Sequence, residues 1–194
     1  LALHVDGDVV RDDDGKVVGH VIGENKIAID TVAVLPDVVK QNEPRLCPAP
    51  APDVAGSDQG KPYEENRARQ YEDFVKSLIN PPPKGPTPSG YVYYLPDPES
   101  GEPVSYDDCE QPSGTILFEI KGKRIAILAN DLPAVMTADF VGQATRQVAA
   151  SGGRPIVWVF AEEDAARFAR KLFDETPGLE GITVVYIPWT RSGR

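Results

Sequence analysis

The sequence predicts an α/β fold, a mixed sheet flanked by helices, behind an N-terminal β-hairpin segment. Three observations carry this. Short β-branched runs separated by Asp-Gly turns fill the first 35 residues. From residue 91 onward, strand-like and helical periods alternate to the end of the chain. The 194 residues are 41% hydrophobic and 26% charged, enough apolar material for one core and too much for global disorder.

Each element follows in order. DGDVV at 6–10 recurs as DGKVV at 14–18, and Gly23-Glu24-Asn25 supplies a further turn. Asp-Gly between β-branched residues is the strongest short hairpin signal. Residues 1–44 therefore read as a small β-meander, a connecting segment, and 45–194 as the main domain. Asp12-Asp13-Asp14 lacks the ligand spacing of a calcium loop and reads as a solvated turn. Of the 19 prolines, 14 fall within 44–113. They make CPAPAPD (47–53) an extended linker and PPPKGPTPSG (81–90) a long loop. Between these, residues 63–78 place Ala68, Tyr71, Val75 and Leu78 at helical spacing.

YVYYL (91–95) and VSYDDC (104–109) read as strands, and 114–128 as two antiparallel strands around Gly122. Residues 133–153 form a helix with Pro near its first turn and Gly just past its end. Phe140, Ala144 and Val148 are its expected core stripe. PIVWVF (155–160) is a buried strand, 162–175 an amphipathic helix, and ITVVYIP (182–188) a final strand.

The net charge is −10 from 20 basic and 30 acidic residues. That excludes a generally basic coat for nucleic acid. The acid is uneven: residues 1–120 hold 22 acids and 10 bases, and residues 121–194 hold 8 acids and 10 bases. A polyanion is expected on the later part, or through a bridging metal ion. No apolar run approaches the ~20 residues of a membrane span, so no membrane partner is expected. The start has no signal-peptide pattern and no initiator Met, as in a piece of a longer protein. Only two Cys are present, with no CxxC, which argues against a structural zinc site. Both His lie at positions 4 and 20, which argues against Ser-His-Asp or Cys-His chemistry in the main body.

The chemistry concentrates on Glu119-Ile120-Lys121. Strand alternation puts Glu119 and Lys121 on one face of an otherwise apolar strand, a costly placement unless the charges pair or act. Three acid-x-Lys matches occur, against roughly 1.4 by chance, but the other two lie in turns. Asp107-Asp108 closes the preceding strand, and antiparallel pairing would bring Asp107 beside Glu119. Two carboxylates and a lysine at a strand end suit Mg²⁺-assisted phosphodiester hydrolysis. Gln143, Arg146 and Gln147, spaced i, i+3, i+4, share a helix face that meets either phosphate or water. A structural Glu119–Lys121 ion pair is the bland alternative.

Six segments, in order, resemble the fifth class of restriction-endonuclease-fold toxin domains, within the PD-(D/E)xK superfamily. They are Cys47-Pro48, Arg67 to Glu72, Tyr106-Asp107-Asp108-Cys109, Leu117 to Gly122, Gln143 to Gln147, and Gly153 to Glu162. The resemblance spans roughly residues 45–190. It departs from the family pattern at Glu72, where Gln is usual, and at Asp108, where Gly is usual.

The resemblance implies a restriction-endonuclease-like core. It also implies a metal-dependent endonuclease toxin, a DNase secreted from the producing bacterium and acting in the cytoplasm of competing cells. Asp107 and Glu119 would bind Mg²⁺ (or Mn²⁺), with Asp108 and Glu72 as further candidate ligands. Lys121 would orient the nucleophile, and Gln143 and Gln147 would position substrate or the lysine. Arg124, Arg146 and Arg154 are candidate phosphate contacts. The implied partners are DNA, a cognate immunity protein, and a parent effector or secretion-apparatus protein. Cys109 is expected either to pack or to bridge to Cys47, both being family positions. Two other readings stay open: an RNase of the same fold, and a non-enzymatic binding or adaptor domain of a delivery apparatus.

Overall fold

The computed structural model describes residues 4–6, 9–11, 17–23, 26–29, 46–53, 66–80, 85–110, 114–122 and 133–189. The first four stretches and Pro133 are described by backbone alone. Asp12-Asp13-Asp14, Arg124, and the strand expected at 123–128 lie outside these residues. Among the described residues the fold is mixed α/β, with three helices. No described helix is long and apolar enough to cross a membrane.

The expected meander is present. β1 (His4–Asp6), β2 (Val9–Arg11), β3 (Val17–Gly23) and β4 (Lys26–Ile29) pair antiparallel in sequence order.

The proline-rich linker adds more than connection. β5 (Ala51–Pro52) pairs antiparallel with β6 (Tyr91–Pro96), and proline is tolerated because β5 is an edge strand. β6 also pairs with β7 (Pro103–Tyr106), completing a three-stranded antiparallel sheet. The run expected as one strand over 104–109 is broken at Asp107. β7 ends at Tyr106, and β8 (Asp108–Cys109) joins a different sheet, antiparallel to β9 (Leu117–Lys121). The expected single mixed sheet is thus two sheets, and the chain changes sheet at Asp107.

The second sheet runs β11-β10-β9-β8, with β10 (Ile156–Phe160) and β11 (Thr183–Tyr186) parallel to β9. Helices α2 (Pro133–Ala150) and α3 (Glu163–Asp174) make the crossovers. α1 (Arg67–Ile79) precedes β6. Its Asn66 cap side chain accepts from Arg69 N at 2.9 Å, satisfying one of the first-turn N–H groups.

Strand alternation divides the core into two layers. Leu117, Trp158, Phe160 and Val184 pack with Met136, Phe140 and Ala144 of α2 and Ala165, Ala169 and Phe173 of α3. Phe118, Ile120, Val157, Val159 and Val185 pack with Tyr71, Val75, Leu78 and Ile79 of α1. The sheet therefore lies between α1 on one face and α2 and α3 on the other. Gly122 lets β9 run close to α1: a Cβ there would meet Ala68 Cα at 3.0 Å and its Cβ at 3.2 Å. A disulfide joins Cys47 to Cys109, tying the linker to β8.

One expected stripe is corrected. Val148 is exposed, and Gln147 is fully buried. The turn-to-turn drift of the helix carries the core face from Phe140 and Ala144 to Gln147, and a polar side chain tolerates that place because its hydrogen bonds are filled.

Candidate active site

β9 presents Leu117, Glu119 and Lys121 toward α2, as the period of two requires. The parallel register with β10 sets Glu119 beside Trp158 and Lys121 beside Phe160. The antiparallel register with β8 aligns Asp108 with Phe118, so one further step aligns Asp107 with Glu119. The bend at Asp107 turns its carboxylate onto β9, where Oδ2 accepts from Ile120 N at 2.6 Å. The expected juxtaposition of Asp107 and Glu119 thus arises from the change of sheet, not from a continuous strand.

The cluster is tied together by hydrogen bonds. Lys121 Nζ donates to Glu119 Oε1 at 2.7 Å and to Gln143 Oε1 at 2.8 Å. The same ammonium stands 4.9 Å from the Trp158 ring centroid and 5.8 Å from that of Phe140, within cation–π range. Gln147 Nε2 donates to Glu119 Oε2 at 2.7 Å and to the Ser105 carbonyl at 3.0 Å. Gln147 Oε1 accepts from Trp158 Nε1 at 2.9 Å, and its backbone carbonyl accepts from Tyr106 Oη at 2.5 Å. Two glutamines one helical turn apart therefore fix Glu119 Oε2 and the head of Lys121, and Lys121 in turn holds Glu119 Oε1.

Electrostatics concentrate on Asp107. Burial first, then Glu119 and Glu72, push its carboxyl well above the usual carboxylate range; Lys121 and the Ile120 N–H oppose this. Glu72 reaches the same neighbourhood from α1. Its pKa is raised, mainly by burial, while Lys76 opposes the rise.

Lys76 was not legible as a site residue. It is fully buried, paired with Glu72 one turn earlier, and donates to the Tyr91 carbonyl at 2.7 Å. The i, i+4 spacing of Glu72 and Lys76 was its only sequence signal.

Asp107 and Asp108 part company. Asp108 is fully buried. Its Oδ1 accepts from Thr87 Oγ1 at 2.7 Å and from Cys109 N at 2.9 Å, and its Oδ2 from Asn80 Nδ2 at 3.1 Å. Asn80 also donates to the Cys109 carbonyl at 3.2 Å. Asp108 is thus a clasp joining the end of α1, the 85–90 loop and β8. Burial raises its pKa to about 6, against the lowering effect of those donors.

The three arginines are also separated. Arg146 is exposed and lines a cleft beside Gln143 and Gln147. Arg154 donates from Nη2 to the Leu46 carbonyl at 3.4 Å, next to the disulfide segment. Arg124 lies outside the described residues.

The donor set suits Mg²⁺. Among the described residues no three His, Cys, Asp or Glu side chains form a ready metal group. Mg²⁺ does not need one, since it retains waters and uses one or two carboxylates plus substrate phosphate. Asp107 and Glu119 are the two carboxylates that would hold such an ion; burial first, and then Glu119, raises the Asp107 pKa. No family model, no curated protein and no solved structure matches this chain.

Proposed function

We propose that the protein is a metal-dependent nuclease with a restriction-endonuclease-like core, a DNase acting as a secreted antibacterial toxin. The observation that supports it is the convergence of Asp107, Glu119 and Lys121 at one end of β9, braced by Gln143 and Gln147. Asp107 and Glu119 would hold Mg²⁺ or Mn²⁺, which would supply Lewis-acid chemistry at the scissile phosphate and toward the attacking water.

Lys121 spends two of its three N–H donors on Glu119 and Gln143. The third serves an attacking water or a non-bridging phosphate oxygen, where it stabilises charge that develops in the transition state. Gln147 keeps Glu119 from rotating, and Gln143 does the same for Lys121. The toxin role, the immunity protein and the parent effector rest on the motif resemblance alone.

The test is incubation with supercoiled plasmid and with RNA of matched length, in Mg²⁺, Mn²⁺ and chelator. Metal-dependent plasmid cleavage is expected, lost at least ~10²-fold in Lys121→Ala. A folded Lys121→Ala protein that cuts at the wild-type rate would remove Lys121 from the mechanism. Cleavage of RNA alone would make it an RNase. Absence of cleavage under every metal would end the nuclease reading in favour of a binding domain.

A further inference from the structure

Beside the cluster lies a cleft of about 400 Å³ between β7 and α2. Ser105 lines it from the strand, and Asp139, Gly142, Gln143, Arg146 and Gln147 line it from the helix. Asp139, Gly142, Gln143 and Arg146 are spaced i, i+3, i+4, i+7, so they form one continuous stripe.

Two of these side chains belong to both places. Gln143 accepts from Lys121, and Gln147 donates to Glu119 and to the Ser105 carbonyl. The inner wall of the cleft is therefore made of the residues that brace Lys121 and Glu119. A group seated in it is one side chain away from the reacting centre.

The lining chooses the chemistry. It offers the Arg146 guanidinium, the Asp139 carboxylate, the Gln143 amide and a Ser residue, the Gln147 amide being spent on Glu119, Ser105 and Trp158, and none of its lining residues is aromatic. Such a set suits a phosphate together with the hydrogen-bonding edges of a sugar and base. It offers no platform on which bases would stack. The volume is at the lower end for small-ligand pockets, which suits one nucleotide and not a duplex. Gly142 keeps the helix surface open: a Cβ there would meet only Arg146 Nη1, at 3.7 Å.

We propose that this cleft seats the nucleotide flanking the scissile phosphate, with Arg146 on that nucleotide's phosphate and the open surface at Gly142 beneath its sugar. The proposal rests on the nuclease reading above. It makes α2 a substrate-binding element as well as a brace.

The experiment compares wild type, Gly142→Phe and Arg146→Ala on a labelled oligonucleotide in Mg²⁺ across a salt series. Circular dichroism melts establish that each variant is folded. Gly142→Phe fills the cleft and is expected to raise KM at least 10-fold, with a smaller change in kcat. Arg146→Ala is expected to weaken substrate capture and to reduce the slope of log(1/KM) against log[salt] by about 1, the loss of one phosphate contact. Because Arg146 is exposed, its variant keeps the proposal testable if Gly142→Phe does not fold. Wild-type KM and salt slope in the folded variants, with a wild-type enzyme that does cut, would overturn the cleft and leave the nuclease reading standing. A wild-type protein without metal-dependent cleavage would take both down.

Discussion

Gln147→Leu removes the residue on which the site and the core both depend. The side chain is fully buried and makes three hydrogen bonds, to Glu119, Ser105 and Trp158. Leucine has similar bulk and no polar atoms. The buried Trp158 N–H would lose its acceptor, at about 1–3 kcal/mol. The buried Glu119 oxygen would lose a donor, at about 1.5–3 kcal/mol for a charged group. The Ser105 carbonyl adds about 1 kcal/mol. Against roughly 1–2 kcal/mol gained by burying an apolar side chain, the net loss is about 2–5 kcal/mol. That is a large share of the ~5–15 kcal/mol stability of an ordinary domain. Urea unfolding followed by tryptophan fluorescence measures it directly.

Gln147→Glu sharpens the same reasoning. It keeps an acceptor for Trp158 but sets a second carboxylate against Glu119 Oε2. Like charges held that close repel, so it should destabilise the protein at neutral pH at least as much as the Leu variant does. A Leu variant within about 0.5 kcal/mol of wild type, or a Glu variant as stable as wild type at neutral pH, would refute the view of Gln147 as a buried hub.

Three further outcomes are expected. Reducing the Cys47–Cys109 bridge, whose partners are 62 residues apart, should cost about 4 kcal/mol by release of loop entropy in the unfolded chain. Denaturant midpoints that coincide with and without reductant would contradict this. Gly122→Ala should lose about 1–3 kcal/mol, because its Cβ would stand 3.0 Å from Ala68 Cα and force α1 away from β9; an unchanged melting temperature would argue against that close approach. Asp108 should give the metal-free protein a stability that falls as pH rises from about 4 to about 6. Its folded pKa of about 6 exceeds the ordinary aspartate value of 3.8, so the folded state holds the extra proton in that window. The stabilisation is fully present below the lower value and lost through the upper, on the order of 3 kcal/mol. Asp108→Asn should flatten the curve there, and an identical curve in both proteins would show that Asp108 does not titrate in this window.

The sequence by itself determined the local elements and the chemistry of one strand. The period-two pattern of β9 put Glu119 and Lys121 on one face, and the buried strand at 155–160 was legible from its unbroken apolar run. The helix over 133–150 was visible from Pro133 and the glycines that follow it. Asp-Gly turns marked the N-terminal meander, because turn chemistry acts over a few residues and leaves a local record.

Only the tertiary structure decided which polar groups meet. Asp107 and Asp108 are neighbours of identical type. A bend between two sheets sends one to the Glu119 cluster and the other to Thr87 and Asn80. Nothing in the spacing of 80, 87 and 108 announces that clasp. Lys76 carries no sequence signal beyond its i, i+4 spacing from Glu72, and is that residue's buried partner. Val148 looked like core, and Gln147 took that side of the helix because Trp158, Glu119 and Ser105 satisfy its amide. Hydrophobic periodicity records how much apolar surface a segment must bury. A buried polar residue depends instead on partners tens of residues away, and only the folded chain brings those partners within hydrogen-bonding distance.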